Sequence, residues 1–143
     1  MGSVSILRTV ASPRALDEAE AALGQTWSMN TGVPAAVRTQ TGIAVAEIVA
    51  NIVEHGSTGR QRVRMEMHIT VLSDHVLVVL IDDGNEAEVD LGSVCMPVDV
   101  LAERGRGLAM AKSVLGRLTY RREADVNYWT LTSHPFGFVV AVA

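Results

Sequence analysis

The segment 62–81 constrains the fold most, because it places two different strand patterns on either side of a short turn. Polar and apolar residues alternate strictly over 62–71, which predicts a strand with one buried face. Residues 76–81 are apolar without interruption, as in a central strand that other elements cover. Residues 73–75 supply the turn between them. The sequence therefore predicts a β-hairpin in the middle of the chain.

Three helices and three more strands are predicted from the rest of the sequence. Ser12 is the expected cap of the first helix, with Pro13 at its first position, and Gly56 ends the second helix. Residues 85–104 show little periodicity, and such a long loop in a compact domain is either functional or mobile. The predicted strands are about 3–11, 117–123 and 127–133, and the predicted helices are about 13–29, 34–55 and 105–116.

This order of elements favours an α+β fold. The strands fall into hairpins, so we expect a mixed, mostly antiparallel sheet with the helices layered on one face as a two-layer sandwich. No repeat, low-complexity stretch or linker divides residues 1–143, which indicates a single domain. Apolar residues make up 48% of the chain, enough for a sizeable core.

Charge and cysteine content argue against several classes of function. The net charge is −4, which argues against a protein that coats nucleic acid or a membrane surface. Lys112 is the only lysine, and its surroundings are not a P-loop because Arg106 and Ala111 occupy the glycine positions. Cys95 is the only cysteine, so no intrachain disulfide or cysteine metal cluster can form. We recognise no signal peptide or membrane span, and expect a cytoplasmic location.

The second predicted helix carries polar residues through an apolar body. Glu47, Asn51, Glu54 and His55 fall in one narrow stripe at 100° per residue. A solvated helix face would give the same stripe, and this alternative stays open. A carboxylate one turn before a carboxamide also suits a magnesium site. There the amide oxygen can bind the cation while the carboxylate orients or deprotonates an attacking group.

Two further segments have residues that suit nucleotide binding. Asp82 and Gly84 end the apolar strand, where a carboxylate can accept a hydrogen bond from an exocyclic amine and glycine admits a flat ring. A plain strand-ending turn has the same residues. Gly105 and Gly107 open the third helix, where free N–H groups and the helix dipole favour phosphate. A flexible hinge is an equal alternative there.

The arginines Arg60, Arg62 and Arg64 form a cluster before and within the alternating strand. No aromatic residues are interleaved with them, so a nucleic-acid interface is not favoured. We expect this cluster to face solvent or a protein partner.

The three motifs follow one another as Glu47-x-x-x-Asn51-x-x-x-His55, Asp82-x-Gly84 and Gly105-x-Gly107-Leu108. In order and spacing they resemble the N, G1 and G2 boxes of the GHKL, or Bergerat-fold, ATPases. Length and the preceding strand and helix resemble the anti-sigma-factor serine kinases of bacterial partner-switching systems. The resemblance covers about residues 3–132.

The resemblance implies binding of ATP and Mg²⁺. Glu47 would be the general base that activates a serine hydroxyl or water, and Asn51 would hold Mg²⁺ between the phosphates. His55 would support the phosphate end of the pocket. Asp82 would bind the adenine amine, with Gly84 beneath the ring.

The resemblance also makes residues 85–104 an ATP lid, which would exclude water from the phosphates when closed. Backbone N–H groups of the two G2 glycines would bind phosphate, and two arginines are candidate partners of the γ-phosphate. The residues implied at this end of the site are Arg104, Gly105, Arg106, Gly107 and Leu108.

Two departures from the family pattern concern the adenine end. Glu86 stands where the G1 box has its second glycine, and an acidic side chain there is expected to weaken or reorient nucleotide binding. The late Gly-Thr is replaced by residues 127–130, of which Thr130 is expected to offer its hydroxyl to the adenine region. The Asn-x-Trp ending resembles a branch of these proteins that is found beside or fused to serine/threonine phosphatases.

The resemblance implies an ATP-dependent serine kinase that phosphorylates a STAS-domain antagonist and binds a sigma factor or an equivalent partner. A serine phosphatase is a further expected partner, and the apolar tail 136–142 offers a surface for a homodimer. One alternative is a module that uses nucleotide only as a conformational switch and catalyses nothing. The detached catalytic domain of a histidine kinase is disfavoured, because His55 and Gly56 end the N box instead of lysines or arginines.

Overall fold

The structure, a computed structural model, describes residues 3–92 and 103–137, with the side chains of 103–105 excluded. In these ranges the chain forms five strands and three helices, and a single π-helical turn, Ile52–Gly56, continues the second helix. The elements in chain order are β1 (Ser3–Val10), α1 (Arg14–Met29), α2 (Ala35–Asn51), β2 (Arg64–Val71), β3 (Val76–Asp82), α3 (Glu103–Val114), β4 (Arg117–Glu123) and β5 (Val126–Thr132).

The five strands form one sheet in the order β1-β2-β3-β5-β4. Every pairing among the described strands is antiparallel, including the predicted hairpin of β2 and β3, in which Val71 lies opposite Val76. The expected α+β class is therefore confirmed, and no parallel pair occurs among these strands. The β3–β5 pairing sets Asp82 opposite Asn127 although 45 residues separate them in sequence.

The core lies between one face of the sheet and the helices. Alternate residues of β2 and β3 are buried on this face, as the polar–apolar alternation of β2 predicts. Helix α2 contributes Ile48 and Val49, both fully buried, and Trp129 of β5 is 1% exposed. Since α2 packs on both α1 and α3 and also touches β3 and β5, it is the central helix of the layer.

Three helix boundaries differ from the sequence prediction. Helix α1 begins at Arg14, with Pro13 at the cap position, while the Ser12 hydroxyl accepts a hydrogen bond from the Arg14 N–H at 3.3 Å. Helix α2 changes to the π-helical turn at Ile52, so regular helical periodicity stops before His55. Helix α3 begins at Glu103, two residues before Gly105.

Parts of the predicted lid and tail lie outside the described residues. Of the loop 85–104, residues 93–102 are not described, and they include Cys95. The apolar tail is described only as far as Gly137. None of the helices in the described ranges is long and apolar enough to cross a membrane.

Candidate nucleotide-binding site

A cavity of about 430 Å³ lies where α2 and its π-helical turn meet the start of α3. A π-helical turn inside a helix is a common feature of functional sites because it changes the direction of the side chains that follow. All four polar residues of the α2 stripe line this cavity, so the stripe is the wall of a concave site and not a plain solvated face. The lining residues are Glu47, Ala50, Asn51, Glu54, His55, Gly107 and Leu108.

Glu47 and Gly107 bring the N and G2 motifs close together. A Cβ atom built on Gly107 would lie 2.5 Å from the Oε2 atom of Glu47. A carbon and an oxygen that do not bond cannot approach so closely, so only glycine at 107 leaves the Glu47 carboxylate in its observed position. The G2 glycine thus leaves the space that the carboxylate of the candidate general base occupies.

The cavity has an acidic wall. Glu47 and Glu54 contribute carboxylates, and no lysine or arginine of the described side chains lines it. The His55 Nε2 atom lies 3.8 Å from the Glu54 Oε2 atom, a loose pairing of two solvent-accessible groups. A polyphosphate in this cavity would meet like charge, so its binding requires a cation. The carboxamide of Asn51 on the same wall has the oxygen ligand that suits Mg²⁺.

Asp82 supplies a second polar site, at the end of β3. The residue is 2% exposed, and its Oδ1 atom accepts hydrogen bonds at 2.9 Å from the Gly84 N–H and from the Asn127 side-chain amide. Its Oδ2 atom is buried and has no hydrogen-bond partner within residues 3–92 and 103–137. Burial raises the pKa of Asp82, and the bonds from Asn127 and Gly84 act against this rise. An unsatisfied buried acceptor is costly, and an exocyclic amine would satisfy it.

Gly84 joins the end of β3 to the end of the π-helical turn. A Cβ atom at Gly84 would lie 2.5 Å from the Gly56 carbonyl oxygen, and the next residue, Asn85, donates its N–H to the same oxygen at 2.8 Å. The Asn85 side chain also donates to the carbonyls of His55 and Thr58. The N and G1 motifs are therefore held together by backbone contacts that no side chain at 84 would permit.

Asn127 is a buried polar residue beside Asp82 to which the sequence analysis assigned no role. Besides its bond to Asp82, its side-chain amide donates to the Asn85 carbonyl at 2.9 Å. Its Oδ1 atom accepts from the Tyr120 hydroxyl at 2.5 Å and from Arg122 Nη1 at 2.9 Å. The alternation of β5 could have indicated that Asn127 is buried, because residues 127, 129 and 131 all lie on the helix-covered face.

Thr130 is not brought to the site. Side chains alternate between the two faces of a strand, so Thr130 lies on the face opposite Asn127 and Trp129. Its neighbours in register are Val79 and Thr119. The expectation that its hydroxyl reaches the adenine region is therefore not met, and Asn127 provides the polar group of β5 there.

Glu86 and Ala87 narrow the space beside Asp82. Together with Trp129 they line a cavity of only about 10 Å³, roughly enough for one water molecule. The Ala87 N–H donates to the Tyr120 hydroxyl at 3.0 Å, which holds this segment against β4. A purine ring needs far more volume, so the segment 85–87 has to shift before a base can enter.

The remaining G2 residues differ in what they offer. Arg106 is exposed, Leu108 is buried in the cavity wall, and the side chain of Arg104 is outside the described residues. The N–H of Gly105 lies in the first described turn of α3, whereas helical bonding directs the N–H of Gly107 to the Glu103 carbonyl. Gly107 therefore contributes space beside Glu47 and not the free N–H expected of it.

The fold is an α+β sandwich. One cavity at the start of a helix has a carboxylate beside a carboxamide, and one strand ends in a buried carboxylate with a single bonded oxygen. Together these features are typical of nucleotide-binding domains. A family model, described as histidine kinase-like ATPase domain, matches residues 9–132. The chain therefore belongs to this family of GHKL-type ATPase domains, which supports ATP binding. A search of curated proteins gives no match.

Proposed function

We propose that the protein is an ATP-dependent serine kinase that phosphorylates a STAS-domain partner. The observation that carries the proposal is the Glu47 carboxylate, which lies in the same cavity as Asn51 and occupies space that any side chain at Gly107 would take. A carboxylate held beside a cation-binding carboxamide can act on a hydroxyl group that enters the cavity.

Both ends of the site have polar groups that suit a Mg²⁺-bound adenine nucleotide, and the base can enter once the segment 85–87 has shifted. The unpartnered Oδ2 atom of Asp82 would accept a hydrogen bond from the adenine amine. Asn51 would hold Mg²⁺ through its amide oxygen, and His55 would face the phosphates. When bound, Mg²⁺ supplies positive charge that offsets the phosphates, which this acidic cavity cannot do alone.

Glu47 would accept the proton of the attacking serine hydroxyl at a carboxylate oxygen. Glu47 is half-buried and keeps solvent access through the cavity, so a side chain from a partner can reach it. A general base of this kind contributes about 10²- to 10⁴-fold to the rate. Glu54, on the same wall, is exposed and has a loose contact with His55, which leaves Glu47 as the better-positioned base.

The protein partners of the proposal are a STAS-domain substrate, a sigma factor or an equivalent regulator, and a serine phosphatase. Their support is the resemblance of the motifs to partner-switching kinases. For a homodimer, the support is the face of the sheet that the described helices leave uncovered, where Val4 and Ile6 of β1 are 61% and 48% exposed. Burial of such side chains against a second copy is favourable.

One observation favours a second candidate, a nucleotide-responsive binding module without catalysis. The cavity at Asp82 is nearly closed by residues 85–87, and Glu86 replaces the family's glycine in this segment. A site that must open before the base enters could serve mainly to couple nucleotide binding to a change of shape.

The test is transfer of labelled γ-phosphate from Mg-ATP to STAS-domain proteins of the same organism, with nucleotide binding measured by calorimetry. Glu47→Ala should keep ATP affinity within about threefold and lower transfer by at least about 10²-fold. Glu20→Ala, an exposed helical glutamate of α1, is the matched control and should transfer at the normal rate.

The possible results distinguish between the two candidate functions. Transfer that survives Glu47→Ala excludes Glu47 as the base. Wild-type protein that binds Mg-ATP but labels no STAS protein supports the binding module. If millimolar Mg-ATP does not bind at all, both candidates are wrong.

A further inference from the structure

A chain of polar side chains behind Asp82 has no part in the function proposed above. Arg122 of β4 lies opposite Asn127 of β5, because the β4–β5 hairpin turns at Ala124 and Asp125. Both turn residues have positive φ, 51° and 63°, as in the tight turns that suit a twisted hairpin. This register brings a cation to one side of the Asn127 amide and the Asp82 carboxylate to the other.

The direction of each hydrogen bond among these polar side chains follows from the groups themselves. A guanidinium group only donates, so the Asn127 atom 2.9 Å from Arg122 Nη1 must be the oxygen Oδ1. The Tyr120 hydroxyl accepts from the Ala87 N–H and so turns its own hydrogen toward the same Oδ1 atom. The Asn127 NH₂ group therefore points to Asp82 Oδ1, at 2.9 Å.

This series of hydrogen bonds decides which oxygen of Asp82 remains available to accept a bond from a ligand. The Oδ1 atom already receives two hydrogen bonds, from Gly84 and Asn127, whereas Oδ2 receives none from the part of the chain that the structure describes. Arg122 is partly buried, with 23% of its side chain exposed, and its charge polarises the Asn127 amide toward the carboxylate. Burial raises the pKa of Asp82, and the hydrogen bonds from Asn127 and Gly84 oppose this rise, so they favour the ionised form, in which the free oxygen can only accept.

From this geometry we infer that Asn127, oriented by Arg122, is a positioning residue that sets the base selectivity of the nucleotide site. The inference rests on the proposed nucleotide function and specifies its substrate class. A base with an exocyclic amine facing Asp82 Oδ2 is selected, and a base with a carbonyl at that position is rejected. Without the hydrogen bonds from Arg122 to Asn127 and from Asn127 to Asp82, Asp82 binds a proton more readily, and a protonated carboxyl group can donate to a carbonyl.

The experiment compares Mg-ATP with Mg-ITP, which has a carbonyl in place of the purine amine, by calorimetry on the full chain. Wild type should bind ATP more tightly than ITP. Asn127→Leu, which is similar in size and cannot donate, should reduce the ATP-to-ITP affinity ratio by at least about tenfold. Thr132→Val, on the same strand but on the opposite face, is the control and should leave the ratio unchanged.

A pH series separates positioning from simple loss of packing. In Asn127→Leu the ATP preference should return as pH is raised, since Asp82 then ionises without help. Arg122→Gln, which keeps a donor but removes the charge, should show a smaller shift in the same direction and serves if Asn127→Leu does not fold.

The inference is overturned if both nucleotides weaken equally in Asn127→Leu, or if the ratio is unchanged in both variants at every pH. A wild-type protein that binds neither nucleotide instead refutes the proposed function on which the inference rests.

Discussion

Replacement of Gly84 by alanine tests the contact that joins the N and G1 motifs. The new Cβ atom would lie 2.5 Å from the Gly56 carbonyl oxygen and 2.9 Å from Asp82 Oδ1. Ordinary contacts of this type are near 3.5 Å, so the two backbone segments must separate by about 1 Å. Because the obstacle is a backbone carbonyl, no change of rotamer relieves it.

The cost can be estimated from two contributions. Overpacking of a closely packed site costs about 1–3 kcal/mol. Separation also lengthens the 2.8 Å bond from the Asn85 N–H to Gly56, and loss of one such hydrogen bond costs about 1 kcal/mol. The sum is about 2–4 kcal/mol. For 143 residues, an unfolding entropy of about 2 cal/mol/K per residue converts each kcal/mol into about 3 °C of Tm.

The assay is thermal and urea unfolding of wild type, Gly84→Ala and Gly32→Ala. We expect Gly84→Ala to lower Tm by about 6–12 °C. Gly32 is a loop glycine with no atom within 4 Å of its would-be Cβ, so its alanine variant should be neutral or stabilised by up to about 1 kcal/mol. If Gly84→Ala is as stable as Gly32→Ala, the close approach of the two motifs is refuted.

Three further predictions follow from the site. Gly107→Ala should lower ATP turnover by about 10²-fold, because the new methyl group displaces the Glu47 carboxylate. The higher helix propensity of alanine should offset most of the loss of stability. The control Gly24→Ala, also in a helix, should leave turnover unchanged and stabilise the fold by about 1 kcal/mol. Burial raises the folded-state pKa of Asp82, so the stability that Asp82 contributes is complete below its unfolded pKa and is lost as pH rises through its folded pKa. The unfolding free energy of Asp82→Asn minus that of wild type should therefore increase with pH, and a difference that does not change with pH counts against this. Removal of Mg²⁺ with a chelator should abolish ATP binding measured by calorimetry, because the described cavity wall is acidic; undiminished binding would show that other cations hold the phosphates.

The elements of the fold were predictable because each follows from the polar and apolar pattern of one short segment. Alternation over 62–71 and the apolar run after it specify the central hairpin, and the structure pairs them as β2 and β3. Helix ends were predicted less well. The π-helical turn at Ile52–Gly56 interrupts a periodicity that looks continuous in sequence, and its contacts include a bond from the Ser57 hydroxyl to the Val53 carbonyl that only the folded helix creates.

The candidate site was predictable in part. Glu47, Asn51 and His55 were grouped correctly because helical spacing alone places them on one side of α2. Thr130 was assigned to the base region from its place in the motif, although strand alternation places it on the far face. Asn127 was not assigned a role because its partner Asp82 is 45 residues away and meets it only through the β3–β5 pairing.

The sequence by itself determined the elements, the α+β class and the three motifs, since each depends on residues that are close in the chain. Only the tertiary structure decided how the motifs meet. Gly107 leaves room for the Glu47 carboxylate, and Gly84 admits the Gly56 carbonyl. Asn127 donates to one oxygen of Asp82, and the other has no partner among the described residues. Such contacts depend on the packing of one element against another, and no local pattern encodes their distances.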